Sequence, residues 1–245
     1  RRSHKFIMKK NKVGTNIIAK NSSWTFSGNV AKNFDKHIDK SVPLYGWSHD
    51  LGLKLSDFFV KKNSKVHDLG CSTGTFVKKL NNRHKNKKIL IKGYDIEKKM
   101  VKAAKKNNHK FKNIKIELKD IYKTNLKKSD FITSFYTVQF IHPSKRQKIF
   151  NKIFKELNWG GGFLFFEKVR APDARFQDMM SLIYNDFKLD NNFSPNEIIA
   201  KSRSLKGVLE PFSSKANIEL LKRAGFKDIT TVFKFICFEG FLAIK

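Results

Sequence analysis

Cysteine is nearly absent from this sequence, which has only Cys71 and Cys237 among its 245 residues. Two isolated cysteines cannot build a disulfide framework, and no cluster of histidines supplies the other ligands that a four-ligand zinc site needs. Long hydrophobic runs are also missing, since no apolar stretch approaches the roughly 20 residues that span a bilayer. The opening residues, RRSHKFIMKK, are basic but lack the apolar segment of a secretory signal. We therefore expect a cytoplasmic protein without a metal and without a membrane segment.

Acidic residues are scarce relative to basic ones, 21 against 51, which gives a formal net charge of +30. Such a charge favours nucleic acid or other anionic partners, because contacts with phosphates release counterions. Only eight of the basic residues are arginines, however, and the lysines are spread from end to end. The chain is also rich in Asn, Ile and Phe, as an AT-rich coding sequence would make it. Both explanations of the charge remain open.

The order of the sequence elements predicts the fold. From Val66 onward, short β-rich runs alternate with amphipathic stretches, which is typical of a mostly parallel sheet covered by helices on both faces. The runs are VHDL, ILIKGYD, IKIEL, FITSF, GFLFFEK, ITTVFKF and CFEGFLAIK. The last two follow each other without a helix and predict an antiparallel hairpin at the sheet edge. We predict an α/β, Rossmann-like class I methyltransferase fold with a mostly parallel seven-stranded sheet.

Two segments lie outside this alternation. Residues 1–60 contain WTFSGNVAKNFDKHIDKSVPLYGW, which predicts an N-terminal helical lid over the ligand-binding edge of the sheet. Residues 61–245 form the predicted cofactor-binding domain, with a helical insertion at about 171–213. No internal repeat or low-complexity linker divides the chain.

A glycine-bearing turn follows the first long strand, in KVHDLGCSTGTFVKK. Ligands of open parallel sheets bind beyond the carboxyl ends of the strands, where this turn lies, and Gly70 and Gly74 let the backbone approach a ligand closely. Ser72 takes the place of the middle glycine that methyltransferases usually have at this turn. The turn alone therefore fits either a cofactor cradle or an ordinary strand-to-helix connection.

Two aspartates end the next two strands. Asp95, some two dozen residues after the turn, can accept hydrogen bonds from both hydroxyls of a ribose, or can cap the following helix. Asp120 lies where this fold usually recognises the adenine amino group, with Ile121 able to pack on the ring, although a lone turn aspartate is more often only solvated. Three strand ends with suitable residues in the right order favour S-adenosylmethionine binding.

Several longer stretches resemble one family, the carboxy-S-adenosyl-L-methionine synthases (CmoA family). The resemblance runs from about Trp24 to the C-terminus and rests on WTFSGNVAKNFDKHIDKSVPLY, DLGCSTG, TVQFIHPSKRQKIFNKIFKELNWGGGFLFFEK, YNDFK, EIIAKSRS and AGF. It implies conversion of S-adenosyl-L-methionine and prephenate to carboxy-S-adenosyl-L-methionine and phenylpyruvate. A partner enzyme then uses the product to build the 5-oxyacetyl group of a tRNA wobble uridine, so that tRNA contact here is weak or indirect. The resemblance also implies a homodimer.

The same resemblance assigns site residues by position. The implied cofactor contacts are Tyr45, Gly70, Cys71, Ser72, Asp95, Ile96, Asp120, Ile121, Phe135 and Arg203. Arg203, in KSRS, would act as the catalytic residue by holding the new carboxylate, for which a guanidinium offers the paired donors that lysine lacks. Its alternative is a solvated helix residue. Trp24, Phe26, Tyr45 and Trp47 could form a lid that keeps the site dry.

One departure from the family affects the site. Phe135 stands where a cofactor-contacting Asn is usual, and because Phe cannot form hydrogen bonds the contact would pass to Ser134 or to a backbone carbonyl, or the chemistry would differ. Two other functions therefore remain open at this point. One is an S-adenosylmethionine-dependent methyltransferase acting on tRNA or another nucleic acid, and the other is a cofactor-binding module without turnover.

Overall fold

A computed structural model of the protein describes residues 11–15, 17–26 and 30–245. Residues 1–10, 16 and 27–29, which belong to the predicted N-terminal lid, lie outside the described residues. In chain order the elements are β1 (Asn11–Lys12), β2 (Ile18–Ala19), α1 (Val30–Ser41), α2 (Tyr45–Phe59), β3 (Lys65–Leu69), α3 (Thr75–Arg83), β4 (Leu90–Asp95), α4 (Lys98–Asn108), β5 (Ile114–Leu118), β6 (Ser129–Phe135), α5 (Pro143–Glu156), β7 (Leu157–Lys168), α6 (Ala174–Asp190), α7 (Pro195–Leu205), α8 (Ser214–Ala224), β8 (Asp228–Phe235) and β9 (Phe238–Ile244).

Seven of the strands form one sheet in the order β5-β4-β3-β6-β7-β9-β8. The neighbours from β5 to β7 pair in parallel. β9 pairs antiparallel with β7 on one side and with β8 on the other. The predicted mostly parallel sheet with a C-terminal antiparallel hairpin is therefore confirmed.

The sheet is buried on both faces, as the apolar run in β7 shows. Phe163, Leu164, Phe165 and Phe166 are all fully buried, and successive side chains of a strand point to opposite faces. Leu164 and Phe166 join a cluster with residues of α2, α3 and α4. Phe163 and Phe165 join a second cluster with residues of α5 and α8. Helices on both sides therefore leave the strand ends as the place for a site.

A third apolar cluster lies over those strand ends. It combines Val13, Trp24 and Phe34 of the N-terminal segment with Met100 of α4 and Ala200 of α7. The N-terminal segment is also hydrogen-bonded to the end of α7, because the backbone N–H groups of residues 22 and 24 donate to the carbonyls of residues 203 and 204 at 2.9 and 3.1 Å. These bonds satisfy carbonyls that the last turn of a helix leaves free. The N-terminal segment and α7 therefore pack together above the sheet.

Candidate cofactor and anion site

One cavity of about 1130 Å³ opens at the carboxyl ends of the parallel strands. Single-ligand pockets usually have volumes of about 300 to 1,000 Å³, so this cavity has room for more than one small molecule. All residues that the sequence assigned to the site line it: Tyr45, Gly70, Cys71, Ser72, Asp95, Ile96, Asp120, Ile121, Phe135 and Arg203. The fold thus brings together residues that are up to 158 positions apart in the chain.

The turn after β3 has a conformation that explains its sequence. Gly70 has φ of 78°, and a Cβ at this position would overlap the side chain of Thr137. Ser72 also has a positive φ, 48°, and its N–H donates to Oδ2 of Asp95 at 2.9 Å. Serine is therefore accommodated where the usual pattern has glycine, and the missing glycine does not prevent the turn from forming.

Asp95 joins this turn to the end of β4. Its second oxygen, Oδ1, accepts a hydrogen bond from the N–H of Glu97 at 2.8 Å. The N-cap residue of α4 is Glu97, so the predicted role of Asp95 as the N-cap is wrong. Asp95 lies two residues before this cap. Burial raises the pKa of Asp95, while the backbone donors oppose that rise. A carboxylate has about four acceptor positions, and the two backbone bonds leave the others for ribose hydroxyls.

Asp68 is a cavity-lining acid that the sequence analysis did not select. It lies at the end of β3, is 2% exposed, lines the cavity and accepts a hydrogen bond from Oγ1 of Thr133 at 2.7 Å. Burial raises its pKa to about 7. Asp120, two residues after β5, accepts from the N–H of Tyr122 at 2.8 Å and also lines the cavity. The sequence signal for Asp68 was an acidic residue just before the glycine turn, in HDLG.

Phe135 packs as an apolar core residue. Its ring stacks on Phe166 with centroids 5.1 Å apart, and the rings of Phe76 and His49 lie 4.5 and 4.7 Å away. Ser134 is fully buried and is absent from the cavity wall, so the hypothesis that its hydroxyl replaces the family Asn is wrong. The carbonyl of Phe135 accepts a bond from Oγ1 of Thr137 at 3.1 Å. Thr137, unlike Ser134, lines the cavity.

Aromatic residues of the N-terminal segment form one wall of the cavity. Trp24, Phe26 and Tyr45 line it, and burial raises the pKa of Tyr45 well above its usual value. Trp47 is 61% exposed and does not line it, so its predicted part in the lid is wrong. Asp35 of α1 accepts from Oγ1 of Thr73 at 2.8 Å, which ties this segment to the glycine turn.

Basic side chains from β7, the segment that follows it, α6 and α7 form another part of the wall. We call Lys168, Arg170, Lys188, Lys201 and Arg203 the basic set; all of them line the cavity. The Nζ atoms of Lys168 and Lys188 lie 4.4 and 4.3 Å from the ring centroid of Tyr184. Lys201 lies over the ring of Trp24. Burial lowers the pKa of all three lysines, and that of Lys188 to about 8.

Arg203 is exposed to the cavity, near the last turn of α7. That helix begins at a capping box, in which Ser194 and Glu197 satisfy each other's backbone N–H groups, with Pro195 in the first turn. The chain direction at Arg203 is thus set at both ends of α7, by the capping box and by the bonds from residues 22 and 24. The cavity therefore combines acids at the ends of β3, β4 and β5 with cations from β7, α6 and α7.

Neither a metal site nor a membrane-spanning helix is found in the part of the chain that the structure describes. No group of three or more His, Cys, Asp or Glu side chains there could hold a metal ion. No helix within the described ranges has the length and apolar character to cross a bilayer. His67, buried within β3, lies 2.9 Å from the carbonyl of Lys127 through Nε2, as a packed histidine would.

Comparisons with known proteins agree with this geometry. A family model described as a methyltransferase domain matches residues 60–225. The chain is 39% identical to the carboxy-S-adenosyl-L-methionine synthase of Staphylococcus epidermidis over 223 residues, which cover 91% of this chain and 97% of that protein. Identity to the synthase of the same name from Sulfurimonas denitrificans is 35% over 239 residues, 96% of this chain and 99% of that protein.

Solved structures show the same fold at low identity. Human N-acetylserotonin methyltransferase in complex with SAM superposes with a TM-score of 0.59 at 17% identity, over 91% of this chain and 60% of that one. The S-adenosylmethionine-dependent methyltransferase SibL superposes with a TM-score of 0.60 at 14% identity, over 82% of this chain and 55% of that one. The sheet order, the glycine turn and the curated relatives lead to one assignment: the chain belongs to the carboxy-S-adenosyl-L-methionine synthase family.

Proposed function

We propose that this protein is a carboxy-S-adenosyl-L-methionine synthase, which binds S-adenosyl-L-methionine and adds a carboxyl group to its sulfonium methyl. The observation that carries the proposal is Arg203 on the wall of the cavity that also holds Asp95, Asp120 and the glycine turn. A methyl donor alone needs no cation beside its methyl group, because the sulfonium is already positive. A carboxylated product needs one, and a guanidinium supplies paired donors for it.

The carboxyl donor in this proposal is prephenate, and phenylpyruvate is the second product. Overall, the methyl group loses one proton and gains the carboxyl carbon, while prephenate loses its ring carboxylate and its hydroxyl, so that water balances the reaction. The donor is a dianion, and the basic set lies on the wall of the same cavity. The pairing of an anionic donor with a cationic wall supports this choice of substrate.

Water must be kept from the reacting carbon, because it would return a proton to the deprotonated methyl carbon before the carboxyl group is added. Trp24, Phe26 and Tyr45 give the wall an aromatic surface, and Trp24 is 5% exposed. The hydrogen bond between Asp35 and Thr73 holds α1 beside the glycine turn. We assign these residues to closing the site, with the N-terminal segment acting as the lid.

The product would serve a partner enzyme that modifies the wobble uridine of tRNA. The net charge of +30 also favours a second candidate, an S-adenosylmethionine-dependent methyltransferase acting on tRNA or another nucleic acid. Arg203 argues against this candidate, since a methyl transfer leaves no carboxylate to bind.

The assembly that we propose is a homodimer formed through α6. None of the 17 residues of this helix is buried. Its exposed apolar side chains are Phe176, Met179, Leu182, Ile183 and Leu189. A row of apolar residues on one surface helix usually marks a protein contact. A second copy of this chain would cover the row.

Mass spectrometry of the small molecule that copurifies with the protein separates the candidates. Intact cofactor with an added carboxyl group supports the proposal. S-adenosylhomocysteine points to methyl transfer, and plain S-adenosylmethionine, together with no turnover on added prephenate, points to a binding module. Either of the last two results overturns the proposed function.

A further inference from the structure

Two lysines of the basic set share one aromatic ring. Lys168, the last residue of β7, and Lys188, on α6, both place Nζ within 4.4 Å of the ring centroid of Tyr184. Each is partly buried at the cavity wall. Among the described residues, no carboxylate forms an ion pair with either lysine. Two cations at one ring without a counterion make a place where an anion is strongly favoured.

The ring of Tyr184, which both lysines contact, is itself held in place. The hydroxyl of Tyr184 donates to the carbonyl of Ser41 at 2.7 Å, which links α6 to the end of α1. Its ring also packs against Phe238 of β9 with centroids 5.3 Å apart. Burial lowers the pKa of both lysines; the charge of Lys168 adds to the effect on Lys188, and the charge of Arg170 adds to the effect on Lys168. A bound carboxylate would oppose this effect, because it stabilises both charged amines.

The position of the pair relative to the glycine turn indicates which anion it meets. Lys168 ends β7, and β6 lies between β7 and β3, the strand that leads into the turn. Neighbouring strands are about 4.8 Å apart, so the pair lies roughly 10 Å to the side of the expected cofactor position. Apolar side chains of Met180 and Phe238 line the cavity beside it. A ring-bearing organic acid fits this combination of apolar wall and paired cations.

We propose that Lys168 and Lys188, set on the ring of Tyr184, form the subsite for the carboxylate that the donor keeps after the reaction. The inference rests on the proposed function, and it assigns the two carboxylates of the donor to different cations. Arg203 faces the carboxylate that is transferred, and the lysine pair binds the one that remains. The second product therefore leaves from the lysine pair, while the carboxylated cofactor stays on Arg203.

The test measures binding of phenylpyruvate, which carries only the retained carboxylate, to protein saturated with S-adenosylhomocysteine. Isothermal titration compares wild type with Lys168→Gln and Lys188→Gln. Lys215→Gln, which removes an exposed charge on α8 away from the cavity, is the matched control. We expect the dissociation constant to rise roughly 10- to 100-fold in the first two variants, as for loss of a charge-assisted hydrogen bond, and to stay unchanged in the control. Arg203→Ala should also leave it unchanged.

Three results separate the possibilities. Unchanged phenylpyruvate affinity in both lysine variants overturns the subsite, while formation of carboxylated product by the wild type leaves the proposed function standing. Loss of S-adenosylhomocysteine affinity in folded lysine variants also overturns it, because the pair would then hold the carboxylate of the cofactor. Absence of product from wild type with prephenate overturns the proposed function and the subsite with it. Lys188→Arg keeps the charge, and we expect it to bind phenylpyruvate better than Lys188→Gln; equal losses would contradict an ionic role.

Discussion

Replacement of Arg203 by alanine should separate the two forms of the cofactor. The side chain lines the cavity and is exposed to it, so its loss leaves the acidic residues and the glycine turn unchanged. S-adenosylmethionine has only a methyl group at the position in question and should bind with nearly unchanged affinity. The carboxylated form should bind more weakly, since its new charge loses a partner.

The expected size of this loss follows from the exposure of Arg203. Removing one member of a fully buried charge pair costs about 2 to 5 kcal/mol, and solvent at an exposed guanidinium screens part of that interaction. A hydrogen bond to a charged group contributes about 1.5 to 3 kcal/mol. We therefore expect a loss of about 2 kcal/mol, or roughly 30-fold in dissociation constant. Arg203→Lys should recover only part of it, because a point charge lacks the paired donors.

Calorimetric titration of both ligands into wild type, Arg203→Ala and Arg203→Lys measures the difference directly. Arg175→Ala, which removes an exposed arginine of α6 that does not line the cavity, is the control and should change neither affinity. Equal losses for the two ligands, or no loss for either, would refute the assignment of Arg203 to the carboxylate.

Four further results are expected. Asp95→Ala should weaken S-adenosylmethionine binding by about 2 to 3 kcal/mol by calorimetry, as for lost charge-assisted bonds to two hydroxyls; unchanged affinity with the fold intact would leave Asp95 only its bonds to the N–H groups of Ser72 and Glu97. Burial lowers the pKa of His49 from 6.5 to about 3, so the unfolded chain binds the extra proton between these values and stability falls as the pH drops. Relative to pH 7.5, this group lowers the free energy of unfolding at pH 5.5 by about 1 kcal/mol, and denaturant unfolding should show a smaller pH dependence in His49→Gln. Transfer RNA should bind loosely with a steep salt dependence, because dispersed lysines contact phosphates without reading bases; tight binding at physiological salt would favour the tRNA methyltransferase. Leu182→Lys should convert the proposed dimer to a monomer in light scattering, whereas Phe58→Lys, a change at an exposed apolar residue of α2, should not; a dimeric Leu182→Lys variant would contradict the α6 interface.

The sheet could be predicted because each strand corresponds to a short apolar run between amphipathic stretches. A strand that is buried on both faces needs a continuous apolar sequence, and GFLFFEK has this pattern. The glycine turn and Asp95 followed from the same logic, since the carboxyl ends of parallel strands meet at one edge. These features depend on local sequence and on strand order alone.

Other parts of the site depend on side-chain direction, which the sequence does not display. Tyr45 and Trp47 are two residues apart on α2, and residues at that spacing do not share a helix face, so one lines the cavity while the other is exposed. Lys168 and Lys188 could not be distinguished among 51 basic residues until burial and the ring of Tyr184 were known. The replacement at Phe135 was visible in the sequence, but its aromatic packing partners were not.

Transfer of a labelled carboxyl group tests the central claim most directly. Purified protein is incubated with S-adenosylmethionine and prephenate that carries ¹³C in its ring carboxylate, and the nucleoside product is analysed by mass spectrometry. We predict that the product contains the labelled carboxyl group on the sulfonium carbon and that phenylpyruvate forms in equal amount. Phenylpyruvate formed without label in the nucleoside, or S-adenosylhomocysteine as the nucleoside product, would contradict carboxy-S-adenosylmethionine synthesis by this protein.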